Sequence, residues 1–137
     1  MTFQPNKPIR ISYDVFNMGK YAAKIKYARF GYLFVKGRLP YTNPIKEING
    51  FSTDSIGISN YIITDYPQTS YFIGRDTVRQ GQFDSISNGN IHLYFFGEIR
   101  YINEWNKTEM VYNFNAEFLK PPTTDFLLIY SENFIAE

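Results

Sequence analysis

The chain contains no cysteine among its 137 residues, which excludes disulfides and thiolate metal sites. The absence does not fix a compartment, because oxidising and reducing compartments both hold cysteine-free proteins. No run of about eighteen apolar residues occurs, so no segment reads as a membrane-spanning helix. The opening MTFQPNKPIR lacks the apolar centre of a secretion signal. The chain therefore reads either as a full protein or as a soluble piece of a longer one. Histidine occurs once, at His92, too few for a zinc site that needs several nitrogen or sulfur donors. There is no GxGxxG or Walker pattern to cradle a phosphate, and no nucleophile elbow. Alanine is scarce and helix-period patterns are few, which leaves little material for a helical fold.

Aromatic rings are abundant, with 13 Phe, 12 Tyr and 1 Trp. Wide rings pack well on a pleated surface and favour strands. The clearest strand is NIHLYFFGEIRYINEW, from Asn90 to Trp105. Ile91, Leu93, Phe95, Gly97, Ile99 and Tyr101 fall at spacing two and predict one face. His92, Tyr94, Phe96, Glu98, Arg100 and Ile102 predict the other. Its middle is apolar on both sides, the mark of a central strand covered above and partly below. Met110, Tyr112, Phe114, Ala116 and Phe118 alternate with Glu109, Asn113, Asn115 and Glu117, which predicts an antiparallel hairpin partner.

The remaining elements follow from turn chemistry. Residues 1–7 read as an extended lead-in before Pro8. Ile9, Ile11, Tyr13 and Val15 alternate with Arg10, Ser12 and Asp14 as a half-wet strand, and Asn17 to Lys20 forms a tight turn. Tyr21 to Lys36 is a second strand whose phase blurs after Arg29, predicting a bulge or a crossing between sheets near Gly31. Residues 37–60 form a long connection with short strands at Ile45–Ile48 or Ser55–Ile58, and variable contacts are expected there first. Short strands at 61–63 and 70–73 flank a turn at 65–68. One short helix is expected near 76–86, capped by Asp76. Ser87-Asn88-Gly89-Asn90 is a turn. Phe126 to Tyr130 reads as an edge strand, and 131–137 as a frayed tail. The sum is one all-β domain over 1–137, with six to eight strands in a sandwich or barrel.

Charge is unevenly spread although the net value is +1. Residues 1–46 hold nine lysines and arginines against Asp14 alone. Residues 47–137 hold five against twelve acids. The simplest account is basic early strands beside acidic late ones, joined by cross-strand ion pairs. The sharper account is a basic stripe, Lys20, Lys24, Lys26 and Arg29, facing an anionic surface, lipid before nucleic acid. Tyr21, Tyr32, Tyr41, Tyr61, Tyr66 and Trp105 fall in or near turns. There they either cap the core or, at Tyr41, Tyr61 and Trp105 above all, stack on sugars or bases. Glu98 with Arg100, His92 and Glu117 reads as surface ion pairing before it reads as an acid–base pair. Asn106-Lys107-Thr108 is formally a glycosylation sequon but serves a hairpin turn.

Two blocks carry a resemblance. PIRISYDVFNMGKYAAKI, through Asn17, Gly19 and Ala23, resembles the opening of many immunoglobulin-like bacterial domains. GNIHLYFFGEIRYINEWNKTEMVYNF, through Gly89, Leu93, Tyr94, Gly97, Ile99 and Tyr101, resembles a later block of the same proteins. Together they are similar to the C-terminal β-domain of uncharacterised bacterial proteins in which one or two transmembrane helices precede the domain. The resemblance implies an immunoglobulin-like antiparallel β-sandwich and a membrane-associated protein. The tethering segment would lie outside this chain, and the side of the membrane, cytoplasmic or periplasmic, stays open. It implies no catalytic residues, and no cofactor or metal is expected from the residues themselves. A protein partner or a second copy is the expected contact.

Overall fold

A computed structural model describes residues 3–17, 19–37, 61–62, 68–119 and 125–136. They form seven strands and one helix: β1 (Pro8–Val15), β2 (Ala23–Val35), β3 (Tyr61–Ile62), β4 (Gln68–Thr77), α1 (Gln80–Ser87), β5 (His92–Asn103), β6 (Glu109–Phe118) and β7 (Phe126–Ile135). β1 pairs with β4 in a two-stranded antiparallel sheet. The other five form an antiparallel sheet in the order β3-β2-β5-β6-β7. The all-β sandwich with one short helix is the architecture that the strand periodicity predicts.

β5 is the centre of the larger sheet. Val35 to Ala23 of β2 run opposite His92 to Asn103 on one side, and Glu117 to Glu109 of β6 run opposite Tyr94 to Ile102 on the other. Leu93, Phe95 and Ile99 face the main core, together with Ala28 and Phe30 of β2 and Phe118 of β6. The small sheet closes this core, with Ile9, Ile11 and Phe72 buried against it. Ring meets ring across the layers: Tyr13 lies 4.8 Å from Phe30, and Phe72 lies 5.5 Å from Phe95. Burying one such side chain contributes about 1.5–3 kcal/mol, so this cluster dominates the fold's stability. Tyr94 and Phe96 point the other way and pack with Leu33, Val35 and Ile129 in a second, smaller cluster.

That second cluster explains why the phase of β2 is hard to read after Arg29. Phe30, Tyr32 and Phe34 face the main core while Leu33 and Val35 face the smaller one, so both faces are apolar. The strand does not cross between sheets, since Ala23 to Ile25 and Tyr27 to Val35 pair with β5. The register shift lies earlier, between Ile25 and Tyr27, where Lys26 is the extra residue. Tyr32 is accordingly mid-strand and half-buried, 6.0 Å from Phe72, and not a turn residue.

Two further expectations are corrected, and the lead-in is found to carry an anchor. Arg79, not Asp76, is the N-cap of α1, and its backbone N–H donates to the Gln82 side chain at 2.9 Å. The lead-in is docked by Phe3, a buried ring 5.4 Å from Phe83 and 5.1 Å from Phe118. The tail does not fray at Ser131, because β6 offers Met110 to Phe114 as partners for Ile135 to Ser131. A bulge between Asn115 and Ala116 breaks the alternation that would have marked β7 as one long strand. The turn before β5 is as expected, with Gly89 at φ +77°. The strands expected at 45–48 and 55–58 lie outside the described residues, as do Tyr41 and Tyr66.

Candidate functional site

Antiparallel register assembles the outer face of the large sheet. Arg29, Glu98, Asn113 and Glu132 stand directly opposite one another across β2, β5, β6 and β7. Arg29 donates to Glu98 Oε2, and Arg100 reaches Glu98 Oε1 at 3.8 Å. Arg100 Nη1 also donates to Glu109 Oε2 at 3.3 Å, and Lys26 Nζ donates to Glu109 Oε1. The Tyr27 ring lies 5.4 Å from the Arg29 guanidinium carbon and 5.6 Å from that of Arg100. The hydrogen bond to Glu98 raises the Arg29 pKa, against the opposing effect of desolvation. The hydrogen bond from Lys26, helped by the charges of Lys26 and Arg100, holds the Glu109 carboxyl below the usual glutamate range.

This network decides the fate of the basic stripe. Lys26 and Arg29 are committed to Glu109 and Glu98. Lys20 and Lys24 remain exposed, and neither takes part in an ion pair among the described residues. The cross-strand pairing between basic early strands and acidic late ones is thus realised in β2, β5 and β6.

His92 Nδ1 lies 2.9 Å from Glu117 Oε1, while Glu98 is held by the two arginines. Glu98 stands opposite Asn113 and Glu117 opposite Tyr94, so the two carboxylates occupy separate rows with separate partners. Asn113 is buried, and its amide makes no hydrogen bond among the described residues. Among the described residues no cluster of three His, Asp or Glu is placed to hold a metal ion.

A different corner gathers the exposed rings. In the β5–β6 hairpin, Asn103 Oδ1 accepts from the Trp105 backbone N–H at 2.9 Å, and Lys107 adopts φ +58°. Asn103 and Thr108 close the turn with a backbone bond of 2.9 Å. The Glu104 N–H donates to the Ala22 carbonyl at 3.1 Å, which ties this hairpin to the β1–β2 connection. There, Asn17 accepts from the Gly19 N–H at 3.0 Å and donates to the Tyr21 carbonyl at 2.7 Å. The result is a parallel stack of Tyr21 on Trp105, with centroids 5.3 Å apart and planes 10° apart. Trp105 is 67% exposed and Tyr21 45%.

Of the predicted ring contacts, Trp105 is therefore exposed and has a partner that sequence reading placed only among several turn aromatics. Tyr61 lies in β3 with its backbone opposite Lys24. A separate cleft of about 470 Å³ lies between β2, β4 and the start of α1, with Tyr32, Asp76 and Arg79 in its lining; no sequence motif marks it. No protein-family model matches the chain, and neither the curated proteins nor the solved structures yield a match.

Proposed function

We propose that this chain is a non-catalytic β-sandwich module that works by binding, with the Tyr21–Trp105 stack as its contact surface. One observation carries the reading: the only tryptophan is presented to solvent on a braced turn. Leaving such a ring in water forgoes about 1.5–3 kcal/mol of burial. Two stacked rings with few rotatable bonds lose little entropy when they take up a ligand. A flat, exposed aromatic surface suits the apolar face of a sugar ring, so a carbohydrate is the ligand class. On a glycan array, binding that Trp105→Ala abolishes is the expected result. Binding indifferent to Trp105→Ala, or none at all, refutes the platform.

The resemblance to membrane-anchored bacterial proteins supplies the second part of the proposal: the module is the soluble part of a membrane-tethered protein. Among the described residues no helix is long and apolar enough to cross a membrane. A hydrophobic helix encoded upstream in the same reading frame is the expected finding, and an in-frame stop codon there refutes tethering at that end. The anionic-surface reading is weakened, because two of its four cations are neutralised within the sheet.

A further inference from the structure

Resting on the platform reading, we infer that the Tyr21–Trp105 corner selects acidic sugars, with Lys20 and Lys24 receiving the carboxylate. The ionic groups around the corner do not cancel. Lys107 is paired with Glu104 at 2.7 Å, and Lys26 with Glu109. Lys20 precedes Tyr21 in the chain, and Lys24 stands opposite Ile102, three residues before Trp105. Among the described residues both are exposed and outside any ion pair, and the corner carries a surplus of positive charge. Such a surplus favours an anion by complementarity and weakens as salt screens it.

The ring geometry narrows the anion. Tyr21 and Trp105 lie on each other, so the corner offers one flat outer surface and no slot between rings. Single-stranded nucleic acid is held by successive platforms along a basic groove. One platform beside two lysines suits a single pyranose unit with a carboxylate at its edge. The negative face of an aromatic ring attracts the partly positive C–H groups on the apolar side of that unit. A uronic acid carries both features in one residue.

The test uses the intact chain and Trp105 fluorescence, which reports the site directly because no other indole is present. The probes are hexagalacturonate, its fully methyl-esterified form, and an oligothymidylate. Hexagalacturonate should change the emission and bind about five- to tenfold more tightly than the ester, the scale of two exposed ionic contacts. Lys20→Gln with Lys24→Gln should bring the acid down to the ester's affinity, as should raising the salt to about 0.5 M. Circular dichroism confirms that the double variant is folded. Equal binding of acid and ester, or an unchanged affinity in the folded double variant, overturns the acidic class and leaves the platform standing. Tighter binding of the oligothymidylate overturns it in favour of nucleic acid. No emission change with either sugar overturns the platform itself.

Discussion

Gly97 is the point at which the central strand is most sensitive to one added carbon. It stands opposite Phe30 on one side and Phe114 on the other, and both rings lie across its backbone. A Cβ built there would sit 2.7 Å from Phe114 Cε1, 2.9 Å from Phe30 Cε1 and closer still to Phe30 Cδ1. Carbon atoms rest at about 3.5–4.0 Å, so the rings or the strand must move. Phe30 is 1% exposed and held by Tyr13, Phe95 and Phe114, which leaves it nowhere to swing. Overpacking of this kind costs about 1–3 kcal/mol. The unfolded chain loses freedom when glycine becomes alanine, which returns about 0.4–1 kcal/mol. Gly97→Ala should therefore destabilise the domain by about 1–2 kcal/mol. For a chain of this size that is a fall in Tm of roughly 3–8 °C. Thermal and urea unfolding followed by circular dichroism read both quantities. Adding Phe30→Leu should recover part of the loss in a double-mutant cycle. A Gly97→Ala protein as stable as the parent, or more so, would contradict the packing of both rings over this residue.

Four other outcomes follow from the same geometry. Gly81 lies in α1 with nothing within 4 Å of a built Cβ, so Gly81→Ala should stabilise the domain by about 0.5–1 kcal/mol in urea unfolding. Trp105→Ala should leave stability within about 0.5 kcal/mol of the parent, because the ring lies mostly in solvent; a larger loss would make it a structural residue. The buried, unpaired amide of Asn113 predicts that Asn113→Leu is neutral or stabilising by about 1 kcal/mol, and a clear loss in urea unfolding would contradict it. Glu109 binds its proton less readily folded than unfolded, so its contribution is present at neutral pH and fades as pH falls below about 4.5. Stability measured against pH should show a shallower acid limb for Glu109→Gln than for the parent.

The β5–β6 hairpin was legible because apolar residues alternate without interruption from Ile91 to Tyr101 and from Met110 to Phe118. The Gly89 turn was equally clear, since glycine there meets a real need for positive φ. The shift at Lys26 was not, because a lysine in an extra position leaves no mark that distinguishes it from a lysine on a wet face. The pattern of β7 stops at Tyr130 for a related reason: its bulge puts Leu127 and Leu128 against Glu117 and Ala116, which hides the period. Trp105 stood out by its place in a turn. Its stacking on Tyr21 depends on how two turns far apart in sequence are brought together, which local pattern does not specify. The pairing of Arg29 with Glu98, 69 residues away, depends likewise on register.

The central claim is that ligand is taken at one corner of the sandwich, and backbone amide NMR during a hexagalacturonate titration tests it most directly. Shifts should concentrate in residues 20–24 and 103–107, the two turns joined by the Glu104–Ala22 hydrogen bond. Shifts centred instead on the outer face around His92, Asn113 and Glu117, or on the cleft beside Arg79, would contradict the account.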